Sequence, residues 1–184
     1  MLEKGQIPLA KEGPNLDAGR KEIDTIIIHH TEEEPDIRLT KLSAIGFVRQ
    51  YGRKYLENNV LGHRLKGQAI WSGHFENKKM VFFAYHWLIR PDGKEERLLN
   101  DKYIGWQSAD KNINARSIAI SLSGDYENSR PPLSQIKEAA KIIKENYSYI
   151  KKDRILGHRE VKKGRTCPGE YFLKEWKNTL LSLI

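Results

Sequence analysis

The chain holds one cysteine among its 184 residues. An internal disulfide is therefore excluded, and Cys167 is left to bind a metal, act as a nucleophile or sit in a core. No run approaches the roughly 18 apolar residues that a membrane-spanning helix needs. The first 20 residues are polar and broken by Pro8, Gly13 and Pro14, so they lack the apolar centre of a secretory signal. The expectation is a protein that is cytoplasmic until released, or secreted with a leader trimmed. Low-complexity segments are absent. The only internal echo, Leu61-Gly62-His63-Arg64 with Leu156-Gly157-His158-Arg159, is too short to establish a structural repeat.

What remains is a water-soluble composition. Charged residues make up 30% of the chain and mean hydropathy is −0.66, while its length suits one domain with a real core. The net charge of +8 favours an anionic partner. The basic residues are scattered, with clusters at 151–154 and 162–165, and no signature of a nucleic-acid-binding fold accompanies them. Nucleic acid is not expected, and a solvated basic surface is the plain alternative.

The richest stretch runs from Gly157 to Gly169. It sets His158 and Cys167 nine residues apart across a basic, Gly-containing loop. Imidazole and thiolate together suit zinc, but two ligands are too few. The best third candidate closes the segment Thr25-Ile26-Ile27-Ile28-His29-His30-Thr31. Its isoleucines read as a strand buried on both faces, delivering a side chain to a cleft edge. Alternation points His29 and His30 opposite ways, so only one reaches a given metal, and geometry alone does not choose. His63 is a weaker rival, because nothing like Thr-Cys-Pro follows it.

Further along, Ser43 reads as the N-cap of a helix carrying Ile45, Val48, Tyr51 and Tyr55. Residues 57–79 read as a loop insertion. Met80 to Arg90 reads as a long strand, Pro91-Asp92-Gly93 as a turn and Lys94 to Leu99 as the returning strand. Arg116 to Leu122 alternates as another strand. A helix follows Pro131-Pro132 with Ile136, Ala139, Ala140 and Ile143 on one face. A last helix follows Pro168 with Phe172, Trp176, Leu180 and Leu183 inward. The order predicts an α/β fold: a single domain over 24–184, a central mixed β-sheet flanked by helices, a zinc site at one edge of the sheet, and an N-terminal arm over 1–23.

Five blocks now stand in order: Ile27-Ile28-His29-His30-Thr31, Ala84-Tyr85-His86-Trp87-Leu88-Ile89, Ser117-Ile118-Ala119-Ile120-Ser121, Gly157-His158-Arg159-Glu160 and Thr166-Cys167-Pro168-Gly169. In them the chain resembles the zinc-dependent N-acetylmuramoyl-L-alanine amidases, a superfamily that includes amidase-type phage lysozymes and peptidoglycan recognition proteins. The resemblance spans Asp24 to Trp176. It implies His29, His158 and Cys167 as ligands of one Zn2+, with His30 in a variable place. Three protein ligands leave an open position, where zinc acidifies water toward a pKa of about 7 and polarises a carbonyl. The resemblance also implies Tyr85 beside that position and Arg165 as a helper of the oxyanion. Arginine stays protonated, so its help would be electrostatic. The loop is one residue longer than in the phage lysozymes, which makes Thr166 the substitute for Arg165. Trp106 and Gln107 stand in a block where relatives carry a histidine near the substrate cleft. Gln107 is expected to hold a peptide stem without shuttling protons. His86 is expected to be structural, and His74 and Glu160 have no assigned role.

The function implied is hydrolysis of the amide joining N-acetylmuramic acid to L-alanine in peptidoglycan, by an endolysin-like, bacteriolytic monomer. The partner would be bacterial wall or muropeptides, whose anionic character suits the charge. The alternatives are a non-catalytic muropeptide-binding module, a Cys167–His158 nucleophile enzyme and a nucleic-acid binder.

Overall fold

The structure, a computed structural model, describes residues 9–31, 69 and 71–184. They fall in two compact units, residues 9–18 with 69 and 71–83, and residues 19–31 with 84–184.

The larger unit is built on a five-stranded mixed sheet. Strand β1 is Thr25–His30, all six residues buried. In the smaller unit, β2 (Phe75–Glu76) and β3 (Lys79–Met80) form an antiparallel hairpin. The larger unit continues with β4 (Trp87–Ile89), β5 (Glu95–Arg97), helix α1 (Lys111–Arg116) and β6 (Ser117–Leu122). It then runs through α2 (Leu133–Asn146), β7 (Ile155–Gly157) and the short α3 (His158–Val161), and ends in a π-helical turn at Phe172–Trp176 and α4 (Lys177–Ser182). The strand order is β5-β4-β6-β1-β7, antiparallel only at β4–β5.

One face of the sheet carries Ile26, Ile28, Ile118, Ile120 and Leu122. They pack with Ile136, Ala139, Ala140 and Ile143 of α2 and with Phe172, Trp176 and Leu180. Each isoleucine or leucine among them contributes about 1.5–3 kcal/mol when fully buried. The apolar spacing read from 136–143 and 172–180 therefore marks the faces that cover the sheet. Leu183 is half-buried against the same core.

The stretch from Met80 to Arg90 is not one strand. Lys79–Met80 pairs with Phe75–Glu76 across the turn residues Asn77 and Lys78, both at positive φ (49° and 64°). Trp87–Ile89 pairs instead with β5 and β6. Two different sets of backbone partners divide a continuous apolar pattern. Within 57–79, the hairpin residues show regular structure; the expected helix after Ser43 and the rival ligand His63 lie outside the described residues.

Residues 19–23 group with the sheet unit. The Lys21 N–H donates to Ala115 O at 2.8 Å, and the Arg20 guanidinium donates to Asp101 O, Asn114 O and Ser117 O. Arg20 thus satisfies carbonyls at the end of α1, where a cation also suits the helix dipole. Among the described residues no helix is long and apolar enough to cross a membrane.

Candidate metal centre

Strand register builds the site. β1 and β7 run parallel with Ile28 opposite Gly157, so the next residues on each, His29 and His158, arrive side by side. Their ring centroids are 4.7 Å apart. Gly157 permits the close packing behind them, since a Cβ there would lie 2.7 Å from Phe172 Cε1 and 2.8 Å from Pro168 Cδ. Glu160 fixes the start of α3. Its carboxylate accepts from the Gly157 N–H at 2.7 Å and pairs with Lys177 Nζ. Glu160 therefore has a structural task, holding the turn that presents His158.

Cys167 comes from the loop after α3. The Arg159 N–H donates to Cys167 O at 2.8 Å and the Arg159 guanidinium to Gly169 O at 2.9 Å, which pins that loop to the helix. Cys167 is buried, and the His30 backbone N–H lies 3.4 Å from its Sγ, aimed as a donor.

His29, His158 and Cys167 are all buried, and one ligand atom from each lies within 4.8 Å of the others. His29 Nδ1 is 3.6 Å from Cys167 Sγ. Tetrahedral bonds of about 2.0–2.3 Å place ligand atoms roughly 3.3–3.7 Å apart. The His29–Cys167 edge already has that length, the three atoms together lie within 4.8 Å, and two imidazoles with one thiolate are a donor set suited to zinc or a similar borderline-soft cation.

His30 goes the other way, as alternation requires. Its Nδ1 accepts the Tyr126 N–H at 2.8 Å, and its ring is buried. His86 is fully buried, with Nδ1 accepting from the Ala119 N–H and Nε2 3.0 Å from Tyr103 O, a structural arrangement. His74 lies in the smaller unit, 3.1 Å from Asp17. Burial pushes its pKa down, against a smaller opposing pull from that carboxylate.

Tyr85 is half-buried with its ring centroid 5.0 Å from that of His29. Arg165 and Thr166 are exposed on the loop leading into Cys167. Trp106 is half-buried, and its indole N–H is buried with no acceptor among the described residues. Gln107, expected to hold a peptide stem, has its carboxamide turned to protein partners. It is buried, with Oε1 2.6 Å from His29 Nε2 and Nε2 3.0 Å from Ser117 Oγ. Both ends of its carboxamide are engaged inside the protein. Residue type alone could not show this, because the contacts come from segments 78 and 10 residues away.

The family model for N-acetylmuramoyl-L-alanine amidase matches residues 19–170. The chain belongs to this amidase family. It is 24% identical to the 1,6-anhydro-N-acetylmuramyl-L-alanine amidase AmpD of Haemophilus influenzae, over 99% of this chain and 96% of that one. Its fold is shared with the N-acetylmuramoyl-L-alanine amidase LysC from Clostridium intestinale, with a TM-score of 0.63 at 19% identity over 97% and 99% of the two chains. It is shared also with a tyrosine-to-phenylalanine mutant of Drosophila PGRP-LB in complex with tracheal cytotoxin. There the TM-score is 0.58 at 19% identity, over 95% of this chain and 89% of that one.

Proposed function

We infer that this amidase-family protein is a zinc enzyme that hydrolyses the amide between the lactyl group of N-acetylmuramic acid and the L-alanine of the peptide stem. The observation that carries the reading is the buried His29–His158–Cys167 triangle, in a chain that belongs to an amidase family. Three ligands are what a catalytic zinc uses, with a fourth position left for water or substrate. A module that only binds muropeptide has no need of that triangle.

Bound zinc would supply Lewis acidity, activating water and polarising the amide carbonyl. The chain supplies the rest. His29 and His158 stay neutral and Cys167 ionised to serve as ligands. Tyr85, beside His29, donates its phenolic hydrogen bond to the oxygen on which charge develops. Arg165, on the exposed loop before Cys167, adds fixed positive charge near that oxygen, with Thr166 as its substitute. The C–N bond breaks, water's oxygen joins the lactyl carbonyl carbon, and a proton passes to the departing L-alanine amine. Soluble wall fragments and intact peptidoglycan both carry this bond, and the net positive charge favours an anionic wall.

Elemental analysis tests the reading. One zinc per chain is expected in the wild type, with most of it lost in His29→Ala, His158→Ala and Cys167→Ala together with muropeptide hydrolysis. Full activity after exhaustive chelation, abolished by alkylating Cys167 in the metal-free protein, would instead identify a cysteine nucleophile.

A further inference from the structure

The two nitrogens of the His29 ring have different neighbours. Nδ1 lies 3.6 Å from Cys167 Sγ, and Nε2 lies 2.6 Å from Gln107 Oε1. An imidazole that gives its Nδ1 lone pair to a metal carries its proton on Nε2. Inside a protein that N–H needs an acceptor. Gln107 Oε1 stands where the acceptor is required.

The carboxamide is itself held. Its Nε2 donates to Ser117 Oγ at 3.0 Å, which turns the oxygen toward His29. Ser117 is fully buried at the start of β6 and sits opposite Thr25 of β1 in the ladder. The connection His29–Gln107–Ser117 therefore begins and ends on neighbouring strands. The segment bearing Gln107 is also fixed from behind. The Gln107 N–H donates to Gly105 O at 2.9 Å. A side chain at Gly105 would come within 2.5 Å of Ala84 O and 2.9 Å of His86 Cε1, so only glycine lets this segment sit so close.

We propose that Gln107 is a positioning residue of the metal centre: its carboxamide oxygen holds His29 in the Nε2–H tautomer with Nδ1 bare toward the metal position, and Ser117 holds the carboxamide. Gln107 touches neither substrate nor metal in this role. The proposal rests on the zinc reading above. Outer partners of metal-binding histidines are typically worth about 10–100-fold in metal affinity.

Zinc affinity, measured by competition with a chromophoric chelator, provides the test for the wild type, Gln107→Met and Gln107→Glu. Methionine keeps the length but accepts no comparable hydrogen bond. Its variant should bind zinc about 10–100-fold more weakly. Glutamate still accepts, both from His29 and from the Ser117 hydroxyl, and should retain wild-type affinity or exceed it. Equal affinity in the methionine variant and the wild type would overturn the proposal. So would equal losses in both variants, which would mark a packing role. Melting of the metal-free proteins checks that each variant is folded. The wild type supplies a reading independent of any substitution: a long-range ¹H–¹⁵N spectrum of the zinc-loaded protein should show His29 protonated at Nε2. Protonation at Nδ1 would contradict it. Failure of the wild type to take up zinc would defeat the zinc reading and this proposal together, whereas uptake indifferent to residue 107 would defeat this proposal alone.

Discussion

His29 and His30 are neighbours in sequence and have separate tasks. The peptide pleat sends one ring to Cys167 and His158 and the other to the Tyr126 backbone. His30→Ala should therefore keep the metal while losing stability, by about 1–3 kcal/mol for the buried Tyr126 N–H left without its acceptor. Zinc content and a denaturant melt of the variant check both halves; loss of the metal would mean that the ligand set is wrong. Tyr85→Phe keeps the ring beside His29 and removes only the hydroxyl. Zinc should stay and turnover should fall by roughly 10²–10⁴. Wild-type turnover in that variant would take Tyr85 out of the chemistry. At this scale the three residues that the structure brings together, His29, His158 and Cys167, were legible because their motifs are local and family-specific. The contact of Gln107 was not, because it depends on which strand passes behind His29.

Among the elements, those with a strong apolar rhythm were readable. Thr25–His30, Ser117–Leu122 and Leu133–Asn146 lie within a residue or two of the segments marked by periodicity. The stretch from Met80 to Arg90 was not readable, because alternation cannot show that its ends pair with different partners. Tyr147 illustrates a tie that sequence hides. It closes α2, and its hydroxyl accepts from Trp87 Nε1 and the Arg97 guanidinium and donates to Asp101, joining the helix to the β4–β5 hairpin. Burial pushes its pKa up to about 12. An unfolded tyrosine ionises near 10, so the folded state binds the extra proton between those values, and stability should fall as pH rises from 10 toward 12. Burial raises Tyr126 to about 12 as well. Tyrosinate absorbance should show both groups titrating late, and Tyr147→Phe should remove one of them and cost about 1–3 kcal/mol. A late-titrating population unchanged in that variant would contradict the placement of Tyr147.

For the whole molecule, length and composition pointed to one globular domain, and the order of strands and helices pointed to an α/β fold with a mixed sheet. The division of described residues into two units was not visible, because it rests on which segments fold back on one another. A metal that joins β1, the end of β7 and the Cys167 loop binds the folded chain far better than the unfolded one. Zinc at about 1,000 times its dissociation constant should add roughly 4 kcal/mol and raise the melting temperature by about 8–16 °C. A melting curve insensitive to zinc and chelator would be inconsistent with that linkage. The most direct measurement is mass spectrometry of muropeptides treated with the zinc-loaded protein, with chelator-stripped protein, and with stripped protein given zinc again. Peptides beginning with a free L-alanine amine, together with their peptide-free muramic partners, should appear in the first and third samples and be missing from the second. Equal products in all three, or an intact lactyl–alanine bond in every sample, would contradict a zinc amidase.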